Sequence, residues 1–141
     1  QNLEIVLDVD NDILEYGIIK LLLQPLIENS VVHGINVNQS NNIITIKGWK
    51  AGGNINFSIT DNGNGIDEAT LSVIRRQLDS TNLNESESIG IINVNQRIKL
   101  IFGNNYGINI DSRKGSHTTL FVTIPAKTIE ELNDNVQSIV S

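Results

Sequence analysis

The sequence predicts an α/β fold, a two-layer sandwich in which helices cover one face of a mixed, mostly antiparallel sheet. Two observations support this prediction. The predicted elements follow the order strand, helix, two strands, helix, loop, helix and two strands, and a short turn joins each pair of strands into a hairpin, which favours antiparallel pairing. Each predicted helix carries one apolar stripe, so we expect the helices to share one face of the sheet.

Two different periodicities indicate the first strand and the first helix. Apolar and polar residues alternate from Leu3 to Val9, which predicts a half-buried strand. A helical pattern runs from about residue 13 to residue 35, and Pro25 within it predicts a kink or a break near residues 22–24. Gly34 is expected to end this helix as a left-handed cap.

A hairpin and a short helix are predicted next. Alternation over residues 43–50 and 54–60 predicts two strands, joined by the Ala-Gly-Gly sequence at 51–53. Residues 68–78 have amphipathic spacing and are predicted to form a helix, with Asp67 as its N-cap.

A segment of low apolar content, residues 79–88, follows this helix, and we expect it to be a mobile loop. A helix is predicted from 90 to 102 and closed by Gly103. Residues 106–112 and 118–124 are predicted to form a second pair of strands around a tight turn.

An amphipathic C-terminal helix is predicted over about residues 128–140, where Thr128 and Glu131 form a capping box. At 141 residues and 15.5 kDa, the chain 1–141 is expected to form a single domain that is large enough for its own core.

The composition argues against several classes of protein. There is no cysteine, which excludes disulfides and thiol catalysis, and the presence of only two histidines, far apart in the sequence, argues against a transition-metal site. The net charge of −6 and the pI near 4.7 argue against a nucleic-acid surface. No apolar run approaches the roughly 18 residues of a membrane-spanning helix. Because the chain opens with Gln1 rather than Met, we expect it to be a piece of a longer protein.

Four segments carry polar residues or glycines that the fold alone does not require. In the first, Asn29 and His33 are four residues apart on a mostly apolar helix, so they share a face, with Glu28 close by. Polar groups there must find protein partners or face a cavity. Each segment is a weak signal by itself, since glycine-rich turns and helix starts are common. The other three are Asp61–Ile66, Ile89–Arg97 and Gly115–Thr119.

Together, in this order and spacing, the four segments resemble the ATP-binding domain of the GHKL superfamily, in particular the catalytic domains of sensor histidine kinases of the LytS/YesM type. The family pattern QPLVENAxxHG is similar to QPLIENSVVHG at 24–34, and DNGxGI fits residues 61–66. GxGLxNVxxRL resembles residues 88–98, and GxGT before a strand ending in Ile-Pro resembles residues 115–125. The resemblance covers about residues 3–125 and implies a Bergerat-type ATP-binding fold.

The resemblance implies ATP and Mg²⁺ as cofactors. Asn29 is implied to bind the metal and, with Glu28, to be catalytic; an amide oxygen suits a hard cation. Asp61 is implied to accept a hydrogen bond from the adenine amino group, helped by Thr118. Backbone N–H groups from Gly90 onward are implied to hold phosphates beneath a lid over about residues 67–89. The other implied nucleotide-binding residues are His33, Gly63, Gly65, Ile66, Ile91, Asn93 and Arg97.

Three of these residues have alternative interpretations. Glu28 either belongs to the magnesium shell or acts as a weak base, or it makes a structural hydrogen bond that holds Asn29. His33 either lies against the nucleotide or is satisfied by the backbone at the helix end. Arg97 either reaches phosphate or pairs with an acidic side chain.

The implied activity is transfer of the γ-phosphoryl group of Mg-ATP to a histidine. ATPases of this superfamily carry a water-activating glutamate one turn before the metal-binding asparagine, and here that position is Pro25. A kinase does not need this base, because its catalysis is mostly positioning and charge neutralisation. The acceptor histidine is expected on a dimerisation domain outside this chain, so the isolated chain should be inactive in autophosphorylation.

Three departures from the family pattern support an alternative. Ser88 and His117 replace expected glycines, and Val32 replaces a frequently basic residue. A degenerate module that binds nucleotide weakly and docks a partner is therefore the second hypothesis. An anti-sigma-factor-like serine kinase of the same superfamily is a third, against which the QPLIEN motif argues.

The resemblance also implies partners and a location. The expected partners are the protein's own dimerisation and acceptor-histidine domain and a downstream response regulator, with no nucleic acid. The chain alone is expected to be monomeric and the full-length protein homodimeric. The expected location is the cytoplasmic side of a membrane-bound bacterial sensor.

Overall fold

The structure, a computed structural model, describes residues 2–14, 17–80, 90–126, 131, 132 and 134. Its strands follow the predicted order, but two helices occupy the region in which a single helix over about residues 13–35 is predicted. The strands are β1 (Asn2–Val9), β2 (Asn41–Ala51), β3 (Asn54–Asp61), β4 (Gly107–Arg113) and β5 (His117–Pro125). The helices are α1 (Asn11–Leu14), α2 (Gly17–Gly34), α3 (Glu68–Asp79) and α4 (Gly90–Phe102).

The five strands form one mixed sheet in the order β1-β2-β3-β5-β4. Only β1 and β2 are parallel, and the other three pairs are antiparallel. Gly52 and Gly53 form the turn between β2 and β3 with φ of +60° and +77°, which suits a two-residue hairpin. This confirms the predicted mixed, mostly antiparallel sheet.

One face of the sheet carries the core. Ile59 pairs with Ile46 on one side and with Leu120 on the other, and Leu120 in turn pairs with Ile110. All four side chains are buried. Because directly paired residues point to the same face, this row and the neighbouring rows form one apolar surface, and the helices pack against it. The predicted two-layer sandwich is therefore confirmed.

Strand β1 differs from the prediction in its burial. It pairs with β2 in register over its whole length, but Leu3, Ile5 and Leu7 are 42%, 50% and 58% exposed. The expected half-buried strand is thus wrong for the described residues, because β1 lies at the edge of the sheet beyond the described helices that pack on the core face.

Helix α2 is continuous through Pro25, so of the predicted kink or break near residues 22–24 the break is wrong. Gly34 is the last helical residue, but its φ is not positive, so the left-handed cap is wrong as well. Asp67, by contrast, is confirmed as the N-cap of α3, where its Oδ1 accepts a hydrogen bond from Thr70 N at 2.8 Å. Gly103 ends α4 with φ +106°, also as predicted.

Part of the predicted lid over residues 67–89 is packed helix. Leu71 and Leu78 of α3 are buried, and Arg75 donates two hydrogen bonds to the carbonyl of Ile110 on β4. Residues 81–89, with most of the predicted mobile loop, lie outside the described residues, as does most of the predicted C-terminal helix over 128–140.

Candidate functional site

A cavity of about 240 Å³ lies between the helices and the central strands of the sheet. Its volume is below the roughly 300 Å³ at which pockets for whole drug-sized ligands begin, so it suits one flat ring system better than a large molecule. Polar side chains lie together in one part of the cavity lining, and apolar side chains form the rest of the lining. It is lined by Asn29, Ser30, His33, Gly34, Asp61, Gly65, Ile66, Ile74, Ile91, Ile110, Thr118 and Leu120.

Helix α2 brings Asn29 and His33 to the cavity together. Their spacing of one helical turn places both side chains on the same face, as the sequence indicates. Asn29 is half-buried and His33 exposed, while Ser30 between them is only 4% exposed. The last two turns of α2 therefore give the cavity a polar wall on a helix whose other face is core.

Asp61 occupies the end of β3 and faces the same cavity. It is 6% exposed, and burial raises the pKa of its carboxyl group above the usual value. The Gly63 N–H, 3.0 Å from Asp61 Oδ1, and the nearby His117 act in the opposite direction on that pKa. A buried carboxylate with one protein donor retains acceptor capacity for a ligand.

Two glycines let the chain approach Asp61 closely. A Cβ built on Gly34 would lie 2.6 Å from both Cγ and Oδ2 of Asp61. A Cβ built on Gly63 would collide with the Gly34 carbonyl oxygen. Gly63 thus packs the loop after β3 against the end of α2 and does not itself line the cavity.

Gly65 is needed for a different reason, because its φ of +69° favours a residue without a side chain. A Cβ there would also collide with the carbonyl of Arg113 in the turn between β4 and β5. The neighbouring Asn64 carbonyl accepts a hydrogen bond from Gly115 N at 2.6 Å. The second and fourth motifs are therefore joined to each other by backbone contacts.

Asp61, Thr118 and Ser112 form a row across β3, β5 and β4. Asp61 pairs with Thr118, which pairs with Ser112, so the three side chains point to the same face. Ser112 Oγ is 2.7 Å from Thr118 Oγ1 and accepts a hydrogen bond from Ile66 N at 2.8 Å. The row connects the loop after β3 to the last strand.

Not every residue of the predicted site lies in the cavity. Of the predicted set, Asn29, His33, Asp61, Gly65, Ile66, Ile91 and Thr118 line it. Glu28 does not; it is exposed and accepts a hydrogen bond from Gln24 Nε2 at 3.2 Å. Those that lie outside the cavity lining, besides Glu28, are Gly63, Gly90, Asn93 and Arg97.

Of the departures from the family pattern, His117 lies away from the cavity. It neighbours Thr118 on β5 and so alternates to the other face of the sheet. There its Nδ1 lies 3.0 Å from Ser116 Oγ, and its Nε2 lies 4.0 Å from Asp111 Oδ2. The imidazole therefore does not fill the cavity. Ser88 lies outside the described residues.

Sequence reasoning missed five cavity residues: Ser30, Gly34, Ile74, Ile110 and Leu120. Ser30 and Gly34 lie within the first motif, so their proximity to Asn29 and His33 was an available signal. The three apolar residues follow the same periodicity as core residues, and no pattern in the sequence separates a cavity wall from a packed interior.

The donor set suits a hard cation that is held mainly by a ligand and by water. Among the described residues there is no group of three or more His, Cys, Asp or Glu side chains able to hold a metal ion. Asn29 supplies one amide oxygen at the cavity. Mg²⁺ commonly takes one or two protein ligands and completes its shell with phosphate oxygens and water, so the residues present fit Mg²⁺ that arrives with a phosphate ligand.

Comparison with known proteins finds one matching family. The family described as histidine kinase-, DNA gyrase B-, and HSP90-like ATPase matches residues 17–128. This range includes all four motifs and every residue that lines the cavity.

Several curated relatives are sensor proteins. The chain is 34% identical over 109 residues to the sensor protein LytS of Oceanobacillus iheyensis, a match that covers 77% of this chain and 19% of that protein. It is also 34% identical over 127 residues to the sensor histidine kinase YesM of Bacillus subtilis, covering 90% of this chain and 20% of YesM. The chain thus spans about a fifth of the length of these relatives.

Solved structures agree in fold. The histidine kinase domain of the Erythrobacter litoralis EL346 blue-light activated histidine kinase superposes with a TM-score of 0.62 at 19% identity, covering 92% of this chain and 58% of that one. The catalytic domain of histidine kinase ThkA superposes with a TM-score of 0.57 at 17% identity, covering 88% and 78%. In the described part of the chain no helix is both long enough and apolar enough to span a membrane.

Proposed function

Since this chain belongs to the histidine kinase-, DNA gyrase B-, and HSP90-like ATPase family, we propose that it is the ATP-binding catalytic domain of a sensor histidine kinase. It binds Mg-ATP with the adenine in the cavity and presents the γ-phosphoryl group to a histidine on a dimerisation domain outside this chain. The observation that supports this most directly is that Asn29 and Asp61, from opposite layers of the sandwich, line one cavity.

The adenine base is recognised at the end of β3. Adenine is flat and carries an exocyclic amino group with two N–H donors, and Asp61 offers a buried carboxylate to accept from it. The apolar side chains of Ile74, Ile91 and Leu120 suit the faces and edges of the ring. Burial of the base against them supplies affinity, and the carboxylate supplies selectivity.

The phosphates lie toward the last turn of α2. Asn29 orients the metal, and Mg²⁺ bound there with ATP would neutralise phosphate charge. The net charge of −6 makes this neutralisation important, since the protein itself repels a polyanion. The proposed phosphate contact at Gly90 uses backbone N–H groups of the first turn of α4. Transfer then depends on positioning, with no water-activating base at position 25.

We further propose that this domain works within a longer homodimeric sensor, on the cytoplasmic side of a membrane. Its partners there are the sensor's own dimerisation domain and a response regulator. The basis for this proposal is the nature of the relatives, LytS and YesM, which are sensor proteins about five times the length of the matched region.

Nucleotide binding is tested by calorimetry and thermal unfolding with ADP and a non-hydrolysable ATP analogue, each with and without Mg²⁺. A ligand at about 100 times its dissociation constant stabilises a protein by roughly 2.7 kcal/mol, which is readily detected. The expected result is stabilisation that increases with Mg²⁺. No stabilisation at millimolar nucleotide would overturn the proposal and favour the partner-docking module.

Phosphoryl transfer is tested separately in a protein that also carries the dimerisation domain. Label from the γ-phosphate of ATP should appear on it in an acid-labile linkage, as expected for phosphohistidine. Nucleotide binding without any such label would retain the ATP-binding proposal and contradict the kinase assignment.

A further inference from the structure

We propose that Ser112 is a positioning residue that fixes Thr118 as a hydrogen-bond acceptor, so that the cavity selects purines with a 6-amino group over those with a 6-oxo group. This inference rests on the proposed binding of a purine nucleotide. It adds a residue outside the four motifs and gives it a role that depends on the direction of one hydrogen bond.

The contacts of Ser112 Oγ determine that direction. The oxygen lies 2.8 Å from the His117 carbonyl oxygen, 2.8 Å from Ile66 N and 2.7 Å from Thr118 Oγ1. The carbonyl can only accept and the amide can only donate, so the single Ser112 proton goes to His117 and one lone pair receives the Ile66 N–H. The second lone pair remains for Thr118, and Thr118 must therefore donate.

No other assignment satisfies all three contacts. If Ser112 instead donated to Thr118, its oxygen and the His117 carbonyl oxygen would face each other at 2.8 Å without a proton between them. With one donor and two acceptor positions in use, the Ser112 hydroxyl is saturated. The Thr118 proton is thus committed to Ser112, and Thr118 can present only lone pairs to the cavity that it lines.

Asp61, like Thr118, requires a hydrogen-bond donor on the ligand. It is the direct neighbour of Thr118 across the β3–β5 pair, it lines the same cavity, and as a carboxylate it only accepts. Two adjacent acceptors match the two N–H donors of a 6-amino group. They oppose a 6-carbonyl oxygen, whose lone pairs would meet other lone pairs beside the buried Asp61 carboxylate.

The test compares the dissociation constants of ADP and inosine diphosphate by calorimetry in the wild-type chain and in variants. Inosine diphosphate differs from ADP at this end of the base. In Ser112→Ala the Thr118 hydroxyl is free to turn and donate to the 6-oxo group, so the preference for ADP should fall by about tenfold, the equivalent of one hydrogen bond. Ser112→Thr keeps the hydroxyl and should retain the preference.

A purely structural role for Ser112 would weaken both nucleotides equally and leave the ratio unchanged, and that result would overturn the inference. A loss of the ratio in Ser112→Thr would do so too, since it would show that size and not the hydroxyl matters. Thr123→Val is the matched control, because Thr123 donates to Asn56 Oδ1 on the other face of the same sheet. Its ratio should equal that of the wild type.

A double-mutant cycle tests whether Ser112 acts through Thr118. Thr118→Val alone should reduce the preference, and adding Ser112→Ala should reduce it no further. Additive losses would overturn the proposed route through Thr118. If the wild-type chain bound neither nucleotide, the proposed function would fail together with this inference. If it bound ADP with a ratio insensitive to Ser112, only this inference would fail.

Discussion

The backbone of Gly34, at the end of α2, lies directly against the carboxylate of Asp61, at the end of β3. A Cβ on Gly34 would lie 2.6 Å from Cγ and Oδ2 of Asp61 and 2.9 Å from its Cβ. This contact joins the helix that carries Asn29 to the strand end that faces the base. The site therefore depends on a close approach of its two layers, which a side chain at position 34 would prevent.

Gly34→Ala should consequently displace the Asp61 carboxylate. We expect ADP affinity to fall by about tenfold or more, because a misplaced acceptor loses its hydrogen bond to the base. Stability should fall by about 1–3 kcal/mol, as is usual for overpacking. Calorimetry and urea denaturation measure the two effects.

Gly90→Ala is the control for stability in this experiment. Apart from its chain neighbours and the backbone of its own helix, no described atom lies within 4 Å of a Cβ built on Gly90. Its φ is not positive either, so the substitution should leave urea stability unchanged or slightly raised. Wild-type ADP affinity in Gly34→Ala would show that the carboxylate position does not matter for binding.

The role of Gly34 also shows what the sequence could and could not predict. Alternation and amphipathic spacing located the strands and helices, because burial on one face imposes those periods. They did not reveal which faces meet. Gly34 was predicted to cap a helix through a positive φ, whereas the structure uses it for a close contact between distant segments. Leu3, Ile5 and Leu7 alternate as predicted but remain exposed, since periodicity identifies an apolar face and not the element that covers it.

The candidate site was predictable to the extent that its motifs are polar. Asn29, Asp61 and Thr118 stand out in the sequence, and the structure brings them to one cavity. Ile74 and Ile110 were not predictable, because apolar cavity walls follow the core pattern. The family resemblance implies a site role for Glu28, but adjacent residues on a helix differ by about 100° in direction. Glu28 follows this rule and lies outside the cavity lining next to Asn29.

The variant Asp61→Asn should have opposite effects on two quantities, the stability of the domain and its affinity for ADP. Burial raises the pKa of Asp61, so the folded state binds that proton more tightly than the unfolded state. The carboxyl group therefore favours folding most below its unfolded pKa of 3.8, and this contribution is lost as the pH rises through the folded pKa. At pH 7 the neutral amide should make the variant at least as stable as the wild type, and this relative advantage should shrink toward pH 4 in urea denaturation.

The same variant should bind ADP at least about tenfold more weakly, because an amide N–H then faces the adenine amino group. Asp67→Asn is the control of opposite sign. Hydrogen bonds from Thr70 lower the pKa of Asp67, so this variant should lose stability at pH 7 relative to the wild type and recover as the pH falls. A stability gain for Asp61→Asn that grew with acidity would contradict the assigned burial effect.

Asn29→Ala should remove the dependence of nucleotide binding on Mg²⁺. The amide oxygen is the protein ligand that we assign to the metal, and its loss should bring ATP-analogue affinity with Mg²⁺ to within about twofold of that without it. Calorimetry at matched ionic strength measures both values. Lys20→Ala is the matched control: Lys20 is exposed on the same helix nine residues earlier, about 13 Å along the axis. A Mg²⁺ effect of wild-type size in Asn29→Ala would place the metal elsewhere.

Asn95 connects three elements behind the site, and its loss should destabilise the whole domain. Its side chain is fully buried; Nδ2 donates to the Leu78 carbonyl at the end of α3, and Oδ1 accepts from Ile108 N on β4, both at 2.8 Å. Asn95→Ala leaves both backbone groups buried without these partners, so we expect a loss of about 2–5 kcal/mol in urea denaturation. Leu100→Ala, at a 73% exposed position of the same helix, should change stability by no more than about 0.5 kcal/mol. If the two variants were equally stable, the hydrogen bonds of Asn95 would contribute little, and the junction of α3, α4 and β4 would depend on apolar packing alone.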